Sequence, residues 1–302
     1  MQKKIATKLL SQHQELLPFL SESVDDEDEV LIALAESLGE MVPFVGGNAH
    51  AHHLLTLLEM LLTSEETTVR GKAIISTNVI AQTLPETDFN SHYVEMINRL
   101  ATKEWFTARM SSCNLLATSF SRLAVLKRAA HITLYASLCR DDAPMVRRVA
   151  AQNLSILFRG VVQSYGIEAL IDGGVVPSVI VPLYEELATN EQDSVRLHTS
   201  ESCVSFGRET VPFFVSASDE DRVGMKAMLK DRILPLLIAT VEDRSWRVRW
   251  TTASKIAEAM AAYENFEGAV QALIPAYEKL LQDHEGEVGS IFTIWAAFFL
   301  SC

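Results

Sequence analysis

The sequence predicts an all-α chain built as a solenoid of two-helix repeats, and three observations carry that prediction. The helix formers Leu, Ala, Glu, Met and Lys are abundant, while Gly and Pro number only 13 and 9 in 302 residues, too few to punctuate a β-rich fold. Strand-like alternation between turn signals is scarce. Most telling, a polar or acidic turn that closes on Val-Arg returns along the chain. "SEETTVR" ends at Arg70, "RDDAPMVRR" at Arg148, "NEQDSVR" at Arg196 and "EDRSWRVR" at Arg249. Looser copies are "DDEDEVL" ending at Leu31, "KEWFTAR" ending at Arg109 and "DHEGEVG" ending at Gly289.

The copies are anchored on Val30, Val69, Ala108, Val146, Val195, Val248 and Val288, which gives spacings of 39, 39, 38, 49, 53 and 40. A period near 39 suits a HEAT repeat of two helices and two short turns. The chain then reads as one HEAT-repeat α-solenoid over 1–302, about seven two-helix repeats plus an N-terminal half repeat. Its repeat turns lie near 25–30, 65–70, 104–109, 141–147, 191–196, 243–249 and 283–289. Two intervals carry insertions, Val161 to Gly174 and Phe214 to Lys230, which are expected in connecting loops that tolerate added length.

Each element has its own justification. A Leu/Ile/Val-Pro pair precedes several anchors, at Leu17-Pro18, Val181-Pro182, Leu234-Pro235 and Ile274-Pro275, and is expected to open or bend the first helix. After the anchor, small or apolar residues recur on one helical stripe. Leu34, Ala35 and Leu38 form one such set; Ala150, Ala151 and Leu154 form another; Thr252, Ala253 and Ile256 form a third. Acidic residues before the anchor are expected to cap the second helix, and Pro144 suits its first turn. The Arg after the anchor, at 70, 109, 147, 196 and 249, is expected to meet an acidic residue of an adjacent turn. Repetition would make these contacts a ladder, and direct partner binding by the same arginines is the other reading. After Val288 the pattern breaks into "SIFTIWAAFFL". Ile291 to Leu300 would make about 15 Å of helix, half a bilayer core, so 289–302 reads as a divergent apolar helix packed on the last repeat rather than as an anchor.

Composition narrows the function classes. A net charge of −13 argues against nucleic acid as the main partner and suits protein binding. Cys113, Cys139, Cys203 and Cys302 are far apart with no CxxC spacing. With no signal-peptide h-region and no long apolar run, this suggests free thiols in a reducing compartment, cytoplasmic or also nuclear, and no membrane partner.

No GxSxG, HExxH or Walker pattern is present, so neither an enzyme nor a cofactor is expected. The nearest candidate is "GGNAHAHHLL", with His50, His52 and His53. His50 and His53 could share a helix face, but two imidazoles without a third ligand make a poor metal site, and no metal is expected. Gly46-Gly47 is expected to end the preceding helix at positive φ, and Cys113 and Cys203 to be small core fillers.

More informative are turns that ought to be polar and are not. Trp105 and Phe106 share one, Pro144 and Met145 stand beside Arg147 and Arg148 in the next, and Trp246 sits in another. Like turns in a solenoid lie side by side, so these residues are expected to form a ridge whose Trp, Met and Arg content matches interface hot spots. The competing expectation is that both tryptophans fold back onto the following turn.

The segments "EWFTAR", "DDAPMVRR", "EQDSVRL", "DRSWRVR" and "LLPFLSESVDDEDEVLIALAESLG" together resemble the scaffold (A) subunits of protein phosphatase 2A. Their order follows the second to eighth HEAT repeats of that family, over about residues 1–288, roughly its N-terminal half. The resemblance implies a non-catalytic scaffold whose intra-repeat turns hold regulatory (B) subunits. The residues it implies for that surface are Trp105, Phe106, Pro144, Met145, Arg147, Arg148, Asp193, Ser245, Trp246 and Arg247. The family holds its catalytic subunit on C-terminal repeats, which have no counterpart in this sequence. Two readings compete: an unrelated HEAT-repeat adaptor for transport or assembly that shares the architecture alone, and an enzyme built on such an array.

Overall fold

The structure, a computed structural model, describes residues 27–291, and every regular element among them is helical. Two compact units divide at Leu138 and Cys139. Unit 1 contains α1 (Asp28–Leu38), a 3₁₀ segment (Asn48–His53) leading into α2 (Leu54–Leu61), and α3 (Thr67–Thr83). It continues with a short turn (Glu86–Asp88) and a π-turn (Phe89–Tyr93) that run into α4 (Val94–Thr102), then α5 (Phe106–Ser119) and α6 (Val125–Cys139), which reaches the boundary. Unit 2 contains α7 (Pro144–Tyr165), α8 (Val181–Ala188), α9 (Thr199–Ser216) and α10 (Asp219–Ala227). It ends with α11 (Leu234–Ala239), α12 (Trp246–Ala262) and α13 (Ala269–Leu281). The alternation of first and second helices around the turns is that of a HEAT-repeat α-solenoid.

The predicted stripes form the core. Ala35, Leu38, Ala150, Leu154, Thr252 and Ile256 are all essentially inaccessible, as are Cys113 and Cys203. Many stripe residues are small and polar, which lets second helices approach closely but requires each hydroxyl to find a partner. Ser76 Oγ donates to Ala35 O at 2.6 Å across α1 and α3, and a Cβ at Gly39 would lie 2.9 Å from Ser76 Oγ. Ser111 Oγ donates to Leu62 O at 2.7 Å. In unit 2, Thr252 Oγ1 lies 2.6 Å from Thr240 Oγ1 and 3.3 Å from Ser200 Oγ, and Tyr263 donates its hydroxyl to Cys203 O at 3.1 Å. Aromatic packing fills the wider spaces, with Phe158 and Tyr184 closing on Phe206 at ring distances of 4.4 and 5.3 Å.

One expectation gains detail and two change. The Val/Leu-Pro pairs at 181–182 and 234–235 open α8 and α11 as expected, and each directly follows a π-turn, Val176–Ile180 and Met228–Ile233, inside a continuous helical stretch. Proline lacks an N–H and crowds the carbonyl four residues back, and the widened π-turn absorbs both defects. Pro275 lies inside α13, while Leu17-Pro18 lies outside the described residues.

The insertions are largely helical rather than loops. The first lengthens α7 to 22 residues before Gly166 turns the chain at φ 63°. The second builds α10, whose start Ser218 caps by accepting from Asp221 N–H at 3.2 Å, ahead of Asp219, Glu220 and Asp221 in the first turn. Met225, buried in α10, and Met228 and Leu229, buried in the π-turn that follows it, give this stretch a core face. Gly46 and Gly47 do take positive φ, 95° and 84°, but they precede the 3₁₀ segment instead of ending α1, which stops at Leu38. Of the divergent C-terminal helix, Gly289 to Ile291 are helical, and the rest lies outside the described residues.

Candidate partner-binding turns

Two residues at fixed offsets from the anchor recur in these turns. Five positions before the anchor, a side-chain oxygen accepts from the N–H two residues on. Asp141, Asp243 and Asp283 do so at 2.9, 2.8 and 2.9 Å, Asn190 at 3.1 Å and Ser64 at 3.1 Å. The acidic residues therefore shape the turn instead of capping the helix, because their local hydrogen bond closes before the first helical N–H is reached. Glu66 is an exception and caps α3 through Thr68 N–H at 3.0 Å.

The Arg that follows the anchor folds back over its own turn. Arg70 Nη1 donates to Ser64 O and Glu65 O, both at 2.8 Å, and Arg196 Nη1 to Asn190 O and Glu191 O at 2.7 and 3.1 Å. Arg109, Arg147 and Arg249 donate to the turn carbonyls of Lys103, Asp141 and Asp243 at 2.9, 2.9 and 2.8 Å. Those carbonyls have no helical partner, so the guanidinium satisfies them.

In unit 2 the remaining guanidinium nitrogens continue to the next turn as the ladder predicted from sequence. Arg147 meets Glu191; Arg196 takes Asp243 bidentately at 2.7 and 2.8 Å; Arg249 takes Asp283 at 2.6 and 3.0 Å. The last two rungs are buried, with side-chain exposures of 9% and 10% for one pair and 7% and 5% for the other. Hydrogen bonds from Arg249 hold the Asp283 carboxyl below its ordinary range. For Asp243, burial pushes upward, but the bonds from Arg196 and the Ser245 N–H outweigh it. Ion pairs elsewhere between successive repeats, such as Arg208–Glu258 and Lys72–Glu36, are exposed and contribute little.

With the turns fixed this way, the residues expected on the ridge take up different positions. Trp105 is half exposed with its ring 5.6 Å from that of half-buried Phe106 in unit 1. In unit 2, Pro144, Met145 and Arg148 are exposed, whereas Arg147 is largely covered and engaged in the ladder. Trp246 is 43% exposed and Arg247 is exposed, while Ser245 and Asp193 are half-buried. The last three residues are tied to one another: Ser245 Oγ and Arg247 Nη2 both donate to Asp193 Oδ2, at 2.8 and 2.7 Å, which lowers its pKa. Trp246 and its neighbours line an open groove of about 710 Å³ between Glu191–Asp193 and Arg244–Arg247. Neither tryptophan is buried. Sequence reasoning missed Arg244, which lines the groove and donates to Glu191 O at 3.1 Å, and Trp250, 42% exposed. The string "RSWRVRW" contains both as further basic and aromatic positions around the anchor.

His50 and His53 share a face, their rings nearly parallel and 6.2 Å apart, but the wider grouping also draws on the next repeat. His52 lies beside Asp88 and His92 of the next repeat, its Nδ1 3.5 Å from Asp88 Oδ2. His92 follows His52 by 40 positions, about one period, and that offset was the signal available in sequence.

Comparison with known proteins agrees with the turn motifs. The chain is 38% identical over 243 residues to the protein phosphatase PP2A regulatory A subunit of Schizosaccharomyces pombe, covering 80% of this chain and 37% of that protein. It is 33% identical over 262 residues to the protein of the same name in Saccharomyces cerevisiae, covering 86% and 39%. A "Probable serine/threonine-protein phosphatase PP2A regulatory subunit" of Caenorhabditis elegans is 42% identical over 193 residues, covering 64% and 31%. No protein-family model matches the chain. Among solved structures, Kap121p bound to Nup53p superposes with a TM-score of 0.67 at 15% identity, over 94% of this chain and 29% of that one. Yeast importin-beta does so at 0.52 and 14%, over 92% and 39%. At such identities the likeness shows the HEAT-type fold alone. The chain spans little more than a third of the length of the curated yeast relatives it matches. By sequence it is a homologue of the regulatory A subunits of protein phosphatase 2A, over a share of their length consistent with the N-terminal half.

Proposed function

We propose that the chain is a non-catalytic scaffold segment that binds regulatory B subunits of protein phosphatase 2A through its intra-repeat turns. The observation that carries this reading is the exposure of Trp105 in unit 1, and of Met145 beside Arg148 and Trp246 beside Arg247 in unit 2, on turns whose backbones are internally satisfied. Large apolar side chains on a rigid polar turn lose little conformational entropy on binding and bury much area, the signature of an interface anchor. A scaffold adds no chemistry and acts by raising the effective concentration of one bound partner near another. The segment is proposed to work in the cytoplasm, or also in the nucleus, with the catalytic subunit held by repeats other than these.

Alanine at Trp246 and at Arg148 tests the surface. Each is expected to weaken binding of a purified regulatory subunit by about 2 kcal/mol, roughly 30-fold, with melting temperature unchanged. Undiminished binding by both variants would instead favour an adaptor that shares only the architecture.

A further inference from the structure

Unit 1 gathers four imidazoles and a carboxylate where two repeats meet. The 3₁₀ segment Asn48–His53 presents His50, His52 and His53; the facing turn and π-turn of the next repeat present Asp88 and His92. The His52 ring lies 4.5 Å from that of His92, nearly parallel, and 4.1 Å from that of His53. One donor atom from each of His52, Asp88 and His92 lies within 4.8 Å of the others. His52 Nδ1 is buried without a hydrogen-bond partner and faces the Asp88 carboxylate. Both backbones that carry these groups are pinned: Ala51, Leu54 and Leu55 anchor one, and Phe89 and Tyr93 the other, all almost wholly buried.

We propose that His52, Asp88 and His92 form a binding site for a divalent transition-metal ion of the Zn²⁺ class, joining two successive repeats. The donor set is two imidazoles and one carboxylate, borderline ligands that suit Zn²⁺ and leave a fourth position for water or for His53. Tetrahedral Zn²⁺ with bonds of about 2.1 Å places its ligand atoms about 3.4 Å apart, so the present triangle must contract by roughly 1 Å. Exposed His92 has the freedom to swing inward. Burial first, then the neighbouring histidines, hold His52 and His53 below the ordinary imidazole range, with Asp88 pulling the other way.

The test titrates Zn²⁺ into the whole chain after chelator treatment, in competition with a chromophoric chelator, with Co²⁺ as the spectroscopic probe. The proposal expects about one tight equivalent per chain, a rise in melting temperature with Zn²⁺, and visible absorption of low-symmetry Co²⁺. His92→Ala, at an exposed position that the core does not need, is expected to weaken the tight equivalent by at least about 100-fold, more than loss of an outer-shell partner costs. Asp88→Asn is the second variant, and circular dichroism checks that both fold. Absence of a tight equivalent, or one that survives both substitutions undiminished, overturns the proposal.

Discussion

Replacing Arg249 by alanine is expected to lower unfolding free energy by about 3–5 kcal/mol, the cost of stranding one partner of a buried ion pair. Asp283, at 5% side-chain exposure, would keep its charge with its bidentate partner gone. Asp243 O would at the same time lose the donor that now closes its turn. Urea melts followed by circular dichroism measure the loss. The double variant Arg249→Ala/Asp283→Ala should be less destabilised than the two single effects added together, because it leaves no orphan charge. Lysine at 249 should recover only part of the loss, since an ammonium cannot serve a turn carbonyl and both oxygens of a carboxylate in one plane. A loss under about 1 kcal/mol for Arg249→Ala would mean that the rung is ornamental.

Acidification is expected to destabilise unit 1 through His131. This imidazole is 3% exposed and donates from Nε2 to Leu116 O at 2.9 Å. Burial lowers its pKa to about 4, against a smaller upward pull from that hydrogen bond. Because the folded pKa lies below the unfolded value of about 6.5, the folded state binds fewer protons between the two. The contribution to stability is therefore complete above about pH 6.5 and is lost as pH falls toward 4. It amounts to about 3 kcal/mol in all, at 1.36 kcal/mol per pKa unit. His131→Gln keeps an amide donor and cannot titrate, so its urea midpoint should fall less steeply between pH 7 and pH 4.5. A residual slope is expected from His198, which burial and then Arg148 hold at about 4. Equal slopes in the two proteins would contradict the assignment.

Much of this architecture was legible because a repeat writes its rules several times. The Val or Ala anchor, the small-residue stripe and the Arg after the anchor each recur, so seven copies average out local accidents. The ladder was legible for the same reason, as Arg196–Asp243 and Arg249–Asp283 bear out. What the sequence did not reveal was that each of these arginines also closes its own turn. A main-chain carbonyl has no letter in the sequence, so Asn190 O and Asp243 O could not be anticipated as acceptors.

The insertions were misread as loops for a different reason. Added length at a repeat boundary is compatible with either a loop or a longer helix. Only the Ser218 cap and the buried stripe of Met225, Met228 and Leu229 decide for helix. The histidine grouping shows the limit of local spacing. His50, His52 and His53 share one short segment, whereas Asp88 and His92, which complete the group around His52, lie one repeat away. Of the candidate interface, the apolar and basic composition could be read directly. The mutual engagement of Asp193, Ser245 and Arg247, which fixes the groove wall, needed coordinates.

The central claim is that this segment holds a regulatory subunit and not the catalytic one. Mixing the purified chain with a purified B subunit and the purified phosphatase catalytic subunit, with no longer scaffold present, tests it most directly by size-exclusion chromatography with light scattering. The account predicts a one-to-one complex of the chain with the B subunit, lost in a Trp246→Ala/Arg148→Ala variant, with the catalytic subunit eluting apart. Co-elution of the catalytic subunit with the chain alone, or no complex with any B subunit, would contradict it.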